Sequence, residues 1–239
     1  GLFSSLKKKL TSHVHYLNDI FFNPSTSVHF EDVLIDAKED KDPTESSFYV
    51  GLANPEPSEI NKLSRLNRNQ FMEAFRKILL IQEYLIKERK FDYVIIDTGP
   101  GFRFDVANAM VISDVICFVM KPSEADLEGT KKMLKSISTF VSDQTQGLII
   151  NRAVSSDANS GILPLGDGDV EVPLLKSKQE KLIDEIVHYS KNLNIPIFGN
   201  IPCLCDVSRG VNYETVIARE HPDHVFSKAI NEIVNNVIK

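Results

Sequence analysis

The sequence predicts an α/β protein: a three-layer, doubly wound, mostly parallel sheet with helices on both faces. Two observations carry that prediction. Short apolar runs rich in β-branched residues recur along the 239 residues, as in "FDYVIID" (91–97), "DVICFVM" (114–120), "GLIIN" (147–151) and "IPIFGNI" (195–201). Between them, apolar residues return at helical spacing. Continuous apolar strands alternating with amphipathic helices imply a parallel sheet covered on both faces. No internal repeat and no Pro/Gly/Ser-rich linker divides the chain, so residues 1–239 read as one domain.

In chain order, the first 36 residues suggest short helices around "LFSSLKKKL", "YLNDIFF" and "FEDVLIDA". The charged, Pro-bearing "AKEDKDPTES" (37–46) reads as a surface loop, followed by a strand in "SSFYVGLA" (46–53). Phe71, Phe75, Ile78, Gln82 and Leu85 mark a helix before the 91–97 run, and "FDVANAM" begins another after it. Leu127, Thr130, Leu134, Ile137 and Val141 mark the next helix. The Gly-rich, acidic stretch 154–173 reads as a long loop. Two further helices carry Leu182, Ile183, Ile186 and Leu193, then Val225, Phe226, Ala229, Ile230, Ile233 and Val237.

Composition narrows the function classes. Hydrophobic residues make up 42% and charged residues 25%, enough for a large core. A net charge of -6 argues against a surface built to neutralise nucleic-acid phosphates. Cys117, Cys203 and Cys205 do not make a disulfide framework, which suits a reducing cytoplasm, and buried or half-buried thiols are expected. Cys203-x-Cys205 falls short of a four-ligand zinc pattern unless a dimer axis completes it. No run reaches the roughly 18–20 apolar residues that span a bilayer. The tail "FSKAINEIVNNVIK" reads as a packing helix rather than a basic membrane anchor. A cytoplasmic location is expected, with peripheral membrane attachment left open.

In an open parallel sheet, ligands sit beyond the carboxyl ends of the strands. Asp97, Lys121, Asn151 and Pro202 are expected at those ends. Asp97 is followed by Thr98-Gly99-Pro100-Gly101. A carboxylate there can hold Mg²⁺ through water, and small residues let backbone amides approach a phosphate. The plainer alternative is an Asp capping the next helix, for which Asp105 is better placed. The Asn151 amide donates and accepts at once, matching an adenine edge, although Asn is also common in turns after strands. A phosphate-binding loop of the form G-x-x-x-x-G-K-[ST] is absent from the 239 residues. "GPGF" lacks the Lys-Ser/Thr pair, and the acids of "GDGD" would repel phosphate.

From about Phe48 onward, "DYVIIDTGPG", "DVICFVMKPSEADLEGTKKML", "GLIINR" and "PIFGNIP" follow one another in the order seen in the MinD/ParA/Mrp group of deviant Walker A (SIMIBI class) P-loop ATPases, which this chain resembles. Asp97, Thr98, Pro100 and Gly101 match that family's second phosphate-sensing switch. The resemblance implies that Asp97 serves catalysis as a Mg²⁺ ligand and that Gly101 senses phosphate. It also implies that Asn151, Arg152 and Pro202 hold the base of ATP or ADP. An ATP hydrolase is implied, one that dimerises on ATP and acts as a switch in positioning, partitioning or cofactor delivery. The departure is the missing two-lysine phosphate loop. Gly1-Leu2-Phe3-Ser4-Ser5-Leu6 resembles the family segment just after the first switch, so this chain is expected to begin there. Alone it is then expected to bind ATP weakly and not to hydrolyse it. The rival reading is a relative that lacks the loop altogether and serves as a protein-interaction scaffold.

Overall fold

The computed structural model describes residues 15–22, 28–37, 47–63, 65, 67–101, 103–137, 141, 144–153, 162–165, 168–204 and 217–238. The helix expected in "LFSSLKKKL", nearly all of the 37–46 loop, and Cys205 lie outside them. The chain divides into two units, Gly1–Asp97 and Thr98–Lys239.

The first unit holds α1 (Leu17–Phe22), a 3-10 turn (Phe30–Val33), β1 (Leu34–Asp36), β2 (Tyr49–Gly51), α2 (Pro57–Leu63) and α3 (Arg68–Glu83). A π-helical turn, Tyr84–Glu88, extends α3. The start of α3 follows from its sequence. Asn67 and Gln70 exchange side-chain and backbone hydrogen bonds, each 3.0 Å, in a reciprocal cap. Lys77 Nζ donates to the Ile20 carbonyl at 2.9 Å and ties α3 to α1. Beyond the π turn, the Arg89 guanidinium pairs with Glu31 at 3.0 Å and lies over the Tyr49 ring. Tyr84 donates its hydroxyl to the same Glu31 carboxylate, and that bond pushes the phenol up from its ordinary pKa.

Two expectations for this unit are corrected. "FEDVLIDA" is not a helix throughout. Asp32 accepts the His29 amide at 3.0 Å and closes a single 3-10 turn, after which Leu34–Asp36 pairs antiparallel with Tyr49–Gly51. The β-branched Val33 and Ile35 are thereby buried. The larger correction concerns 91–97, which is not a strand. Tyr93, Val94, Ile95 and Ile96 run without strand pairing and are exposed, Ile95 to 90%. Apolar β-branched residues express a demand for burial, but a strand also needs a neighbour for its backbone N–H and C=O groups. None is present among the described residues.

The second unit is built on a parallel sheet of β3 (Val115–Met120), β4 (Thr145–Ala153) and β7 (Ile197–Pro202), in the order β3-β4-β7. One face buries Ile116, Phe118, Met120, Leu148 and Ile150. They pack with residues of α4 (Phe104–Ile112), α5 (Glu124–Ile137) and α6 (Val172–Leu193). The other face sets Ile149 and Phe198 against Ile233 of α8 (Val225–Val237). Helices thus cover both faces, as the continuous apolar strands predict. A short helix, α7 (Ile217–Glu220), precedes α8, and Ser227 Oγ donates to the Ile217 and His221 carbonyls to join the two.

The stretch expected as a loop, 154–173, contains an antiparallel hairpin of β5 (Ile162–Leu165) and β6 (Gly168–Glu171). Ile162 pairs with Glu171 and Leu165 with Gly168. Gly168, Asp169 and Glu171 lie within β6, and α6 follows directly at Val172.

Candidate functional site

Three strand ends of the second unit lie side by side. Met120 of β3 is level with Ile150, Asn151 of β4 is paired with Ile201, and Ala153 is paired with Pro202. The Cys203 N–H donates to the Ala153 carbonyl at 2.7 Å and holds the end of β7 against β4. Lys121, Asn151, Arg152 and Pro202 therefore gather along one rim, at the carboxyl ends of the strands.

The rim contains a feature the sequence did not reveal. β4 does not stop at Asn151. The register slips between Asn151 and Ala153, leaving Arg152 as an extra residue with φ of +61°. A bulge of this kind re-aims side chains at the end of a strand. Here Asn151 is half-buried, Arg152 is exposed, and Ala153 returns to the core. A non-glycine residue with positive φ has no reliable local signal, so only the structure locates it.

The turn after β3 is fixed as well. The Ser123 hydroxyl accepts the Asp126 N–H at 3.2 Å, and Asp126 Oδ2 accepts the Lys121 N–H at 2.9 Å. The signal was the Ser-x-x-Asp spacing before an apolar helix, a variant of the capping box. These two side chains place Lys121 at the rim and start α5.

Gly101 precedes α4 with φ of +88°. The cap residue of α4 is Arg103, which makes no side-chain cap bond, and Asp105 lies inside the helix rather than at its cap. An added Cβ at Gly101 or at Gly99 would meet no atom within 4 Å, so any cost at Gly101 comes from the backbone alone. Gly101→Ala is expected to destabilise by about 1–2 kcal/mol, read by thermal unfolding, with Gly99→Ala changing stability by less than ~0.5 kcal/mol. Equal effects at the two positions would contradict this.

Asp97 ends the first unit, exposed and outside any strand, so its expected place at a strand end is not observed. The cysteines also differ from expectation. Cys117 and Cys203 are exposed, because Cys117 points from the uncovered side of β3 and Cys203 follows the end of β7. Among the described residues, no three His, Cys, Asp or Glu side chains converge as a metal site.

Known proteins place this architecture. A family model described as an AAA domain matches residues 27–150, more than half of the chain. The chain belongs to the MinD/ParA-type P-loop ATPase family. An uncharacterized protein of Methanocaldococcus jannaschii is 26% identical over 156 residues, covering 64% of this chain and 53% of that protein. A ParA family protein of Mycoplasma pneumoniae is 35% identical over 52 residues, covering 22% of this chain and 19% of that protein. The chain thus spans about half, or less, of the length of these relatives.

Among solved structures, the MinD cell division protein of Aquifex aeolicus matches with a TM-score of 0.61 at 14% identity, over 94% of this chain and 75% of that one. A ParA family ATPase of Chlorobium tepidum matches with a TM-score of 0.59 at 18% identity, over 95% and 76%. The septum site-determining protein MinD of Pyrococcus horikoshii, complexed with Mg-ADP, matches with a TM-score of 0.57 at 15% identity, over 95% and 74%. At these identities the likeness establishes the P-loop NTPase-like fold. Among the described residues, no helix is long and apolar enough to cross a membrane.

Proposed function

We propose that residues 1–239 form one nucleotide-binding domain of a MinD/ParA-like, ATP-dependent switch, carrying the adenine end and the magnesium arm of an ATP site. The carrying observation is the register at the rim, which sets Asn151 beside Ile201 and Ala153 beside Pro202, with Arg152 bulged between. A half-buried amide next to a proline suits a purine: the amide meets its hydrogen-bonding edge and the proline its face. Arg152 lies exposed beside that pair and adds a stacking or charged contact.

The donor set fits the base better than the phosphates. Gly101 and the uncapped start of α4 offer backbone N–H groups to a γ-phosphate, and Asp97 offers one exposed carboxylate to Mg²⁺ through water. The residues that would grip the β- and γ-phosphates are not among these 239, so the chain alone binds ATP weakly and does not turn it over. When bound, Mg-ATP supplies the scissile phosphoanhydride and the metal charge that offsets its negative oxygens. In the working protein, ATP favours a homodimer and hydrolysis releases it. That cycle serves positioning, partitioning or cofactor delivery in the cytoplasm, with membrane contact at most peripheral.

The test compares ATP with inorganic tripolyphosphate in a longer chain that includes a phosphate-binding loop. Asn151→Ala is expected to weaken ATP about 10- to 100-fold and leave tripolyphosphate unchanged. Equal weakening of both, or of neither, would remove Asn151 from the base site. The absent phosphate loop favours a second reading, a non-catalytic scaffold, which predicts no ATP binding in either chain.

A further inference from the structure

The second unit has a cleft at the end of its sheet away from the rim. Parallel strands require the connecting helices to run back, so α5 and α6 finish beside the amino ends of β4 and β7. Between them lies a cavity of about 570 Å³, within the range of ligand clefts. Leu134 and Val141, both buried, and the half-buried Ile195 give it an apolar floor. Gln146 Nε2 donates to the Val141 carbonyl at 2.7 Å and fixes that wall. α6 closes at Asn194, whose left-handed φ of +57° turns the chain toward β7 and leaves Leu193 at the mouth, 42% exposed.

Three lysines of α5 border the same cleft: Lys131, Lys132 and Lys135. Lys131 stands over the Tyr189 ring, 5.6 Å from its centre, and pairs with Glu128 at 2.8 Å. Glu185 of α6 adds a second negative charge near it. Lys132 and Lys135 are exposed. Lysines toward the carboxyl end of a helix offset its dipole, which would account for them on a bare surface. Here they flank an apolar cavity, and no acidic side chain among the described residues lines it. The whole chain carries -6, so this patch runs against its average charge.

We infer that this cleft docks an acidic, amphipathic segment of a partner protein. A large apolar side chain of the partner enters beside Leu193 and Ile195, and carboxylates flanking it meet Lys132 and Lys135. The charge pattern favours that occupant. From Lys131 to Lys135 the ammonium groups are spread along about 6 Å of helix, which suits several carboxylates in a row better than one convergent anion. Phosphates favour helix amino ends and arginine forks. Both helices present their carboxyl ends here, and no arginine lines the cleft. Roughly 15 Å of β4 separates Gln146 from Asn151, so a docked partner leaves the rim open. The inference therefore stands apart from the ATP reading.

The probe is a fluorescein-labelled peptide of about 16 residues, long enough to hold a helix, with Leu at helical spacing and Glu on the flanking positions. A control peptide carries Lys in place of each Glu. Fluorescence anisotropy with the 239-residue chain is expected to show the acidic peptide bound at least ~10-fold more tightly than the basic one, less so at high salt. Lys132→Glu is expected to weaken the acidic peptide about 10-fold. Lys178→Glu, the same charge change about three turns before Tyr189 on α6, should alter it by less than ~2-fold. Leu193→Ser removes the apolar contact and is expected to weaken it about 10-fold. All three positions are exposed, so each variant keeps the fold.

Equal affinity for the two peptides, or no binding of either, would overturn the inference. So would binding of the acidic peptide that either Lys132→Glu or Leu193→Ser leaves unchanged, since the cleft needs both its charge and its apolar mouth. A loss in Lys178→Glu equal to that in Lys132→Glu would reduce the effect to net charge and overturn it as well. Duplex DNA that displaces the acidic peptide would assign the lysines to phosphates, with the same consequence.

Discussion

Replacing Gly147 by alanine is expected to cost about 3 kcal/mol of stability, at the top of the range for overpacking a core. Gly147 lies in β4, buried and paired with Cys117 of β3. On the other side, β7 slips register between Leu148 and Ile149: Ile197 pairs with Leu148 and Gly199 with Ile149, which leaves Phe198 as the extra residue. The Phe198 ring, 3% exposed, covers the Gly147 Cα, and an alanine Cβ would fall within contact distance of ring atoms Cε2, Cζ and Cδ2. The ring has little room to yield, since Ile149 and Ile233 pack around it. The adjoining Gly199 is just as close to α8: a Cβ there would lie 2.6 Å from Ile233 Cγ1.

For a chain of this size the predicted loss corresponds to a fall in Tm of about 6–12 °C. The cause is separable from glycine's general effect on a strand by a double-mutant cycle. Phe198→Leu alone leaves a cavity and destabilises, but in its presence Gly147→Ala should lose most of its cost. Costs that add to within ~0.5 kcal/mol would show that the ring and the glycine do not interact.

The second unit was largely legible because its signals are redundant. Val115–Met120, the core of Thr145–Ala153 and Ile197–Pro202 are continuous apolar runs, and Leu127, Leu134 and Ile137 keep one face of α5 buried at helical spacing. Their carboxyl ends, and hence Lys121, Asn151 and Pro202, follow from strand direction alone. What depended on a partner was not legible. The 91–97 run has the composition of a buried strand but no adjoining strand among the described residues. Cys117 has the residue type of a core position, yet the open side of β3 leaves it exposed. The bulge at Arg152 and the slip at Phe198 are set by pairing between strands, which local spacing does not encode. Leu34–Asp36 failed for a related reason, since its pairing with Tyr49–Gly51 joins segments distant in sequence.

Asp97 carries the second large prediction. Its side chain is exposed, so removing it should change stability by less than ~0.5 kcal/mol. Loss of activity in Asp97→Ala would then be chemical rather than structural. If Asp97 holds Mg²⁺ through water, the variant loses charge stabilisation at the phosphoryl group, of about 3–4 kcal/mol, or roughly 100- to 1000-fold in turnover. The base contacts proposed for Asn151 and Pro202 should be nearly unaffected, because those residues lie on β4 and β7, which pair with one another and not with Asp97. Asp97→Asn keeps the shape and removes the charge, so it should resemble Asp97→Ala rather than the parent.

The deciding measurement is the rate of ATP hydrolysis against Mg²⁺ concentration, in a longer chain that includes a phosphate-binding loop, for the parent and for Asp97→Ala, with ADP affinity measured alongside. The account predicts a fall of about 100-fold or more at saturating ATP, a shift of the Mg²⁺ requirement to higher concentration, and ADP affinity within a few-fold of the parent. A turnover rate and Mg²⁺ dependence unchanged by Asp97→Ala would contradict it.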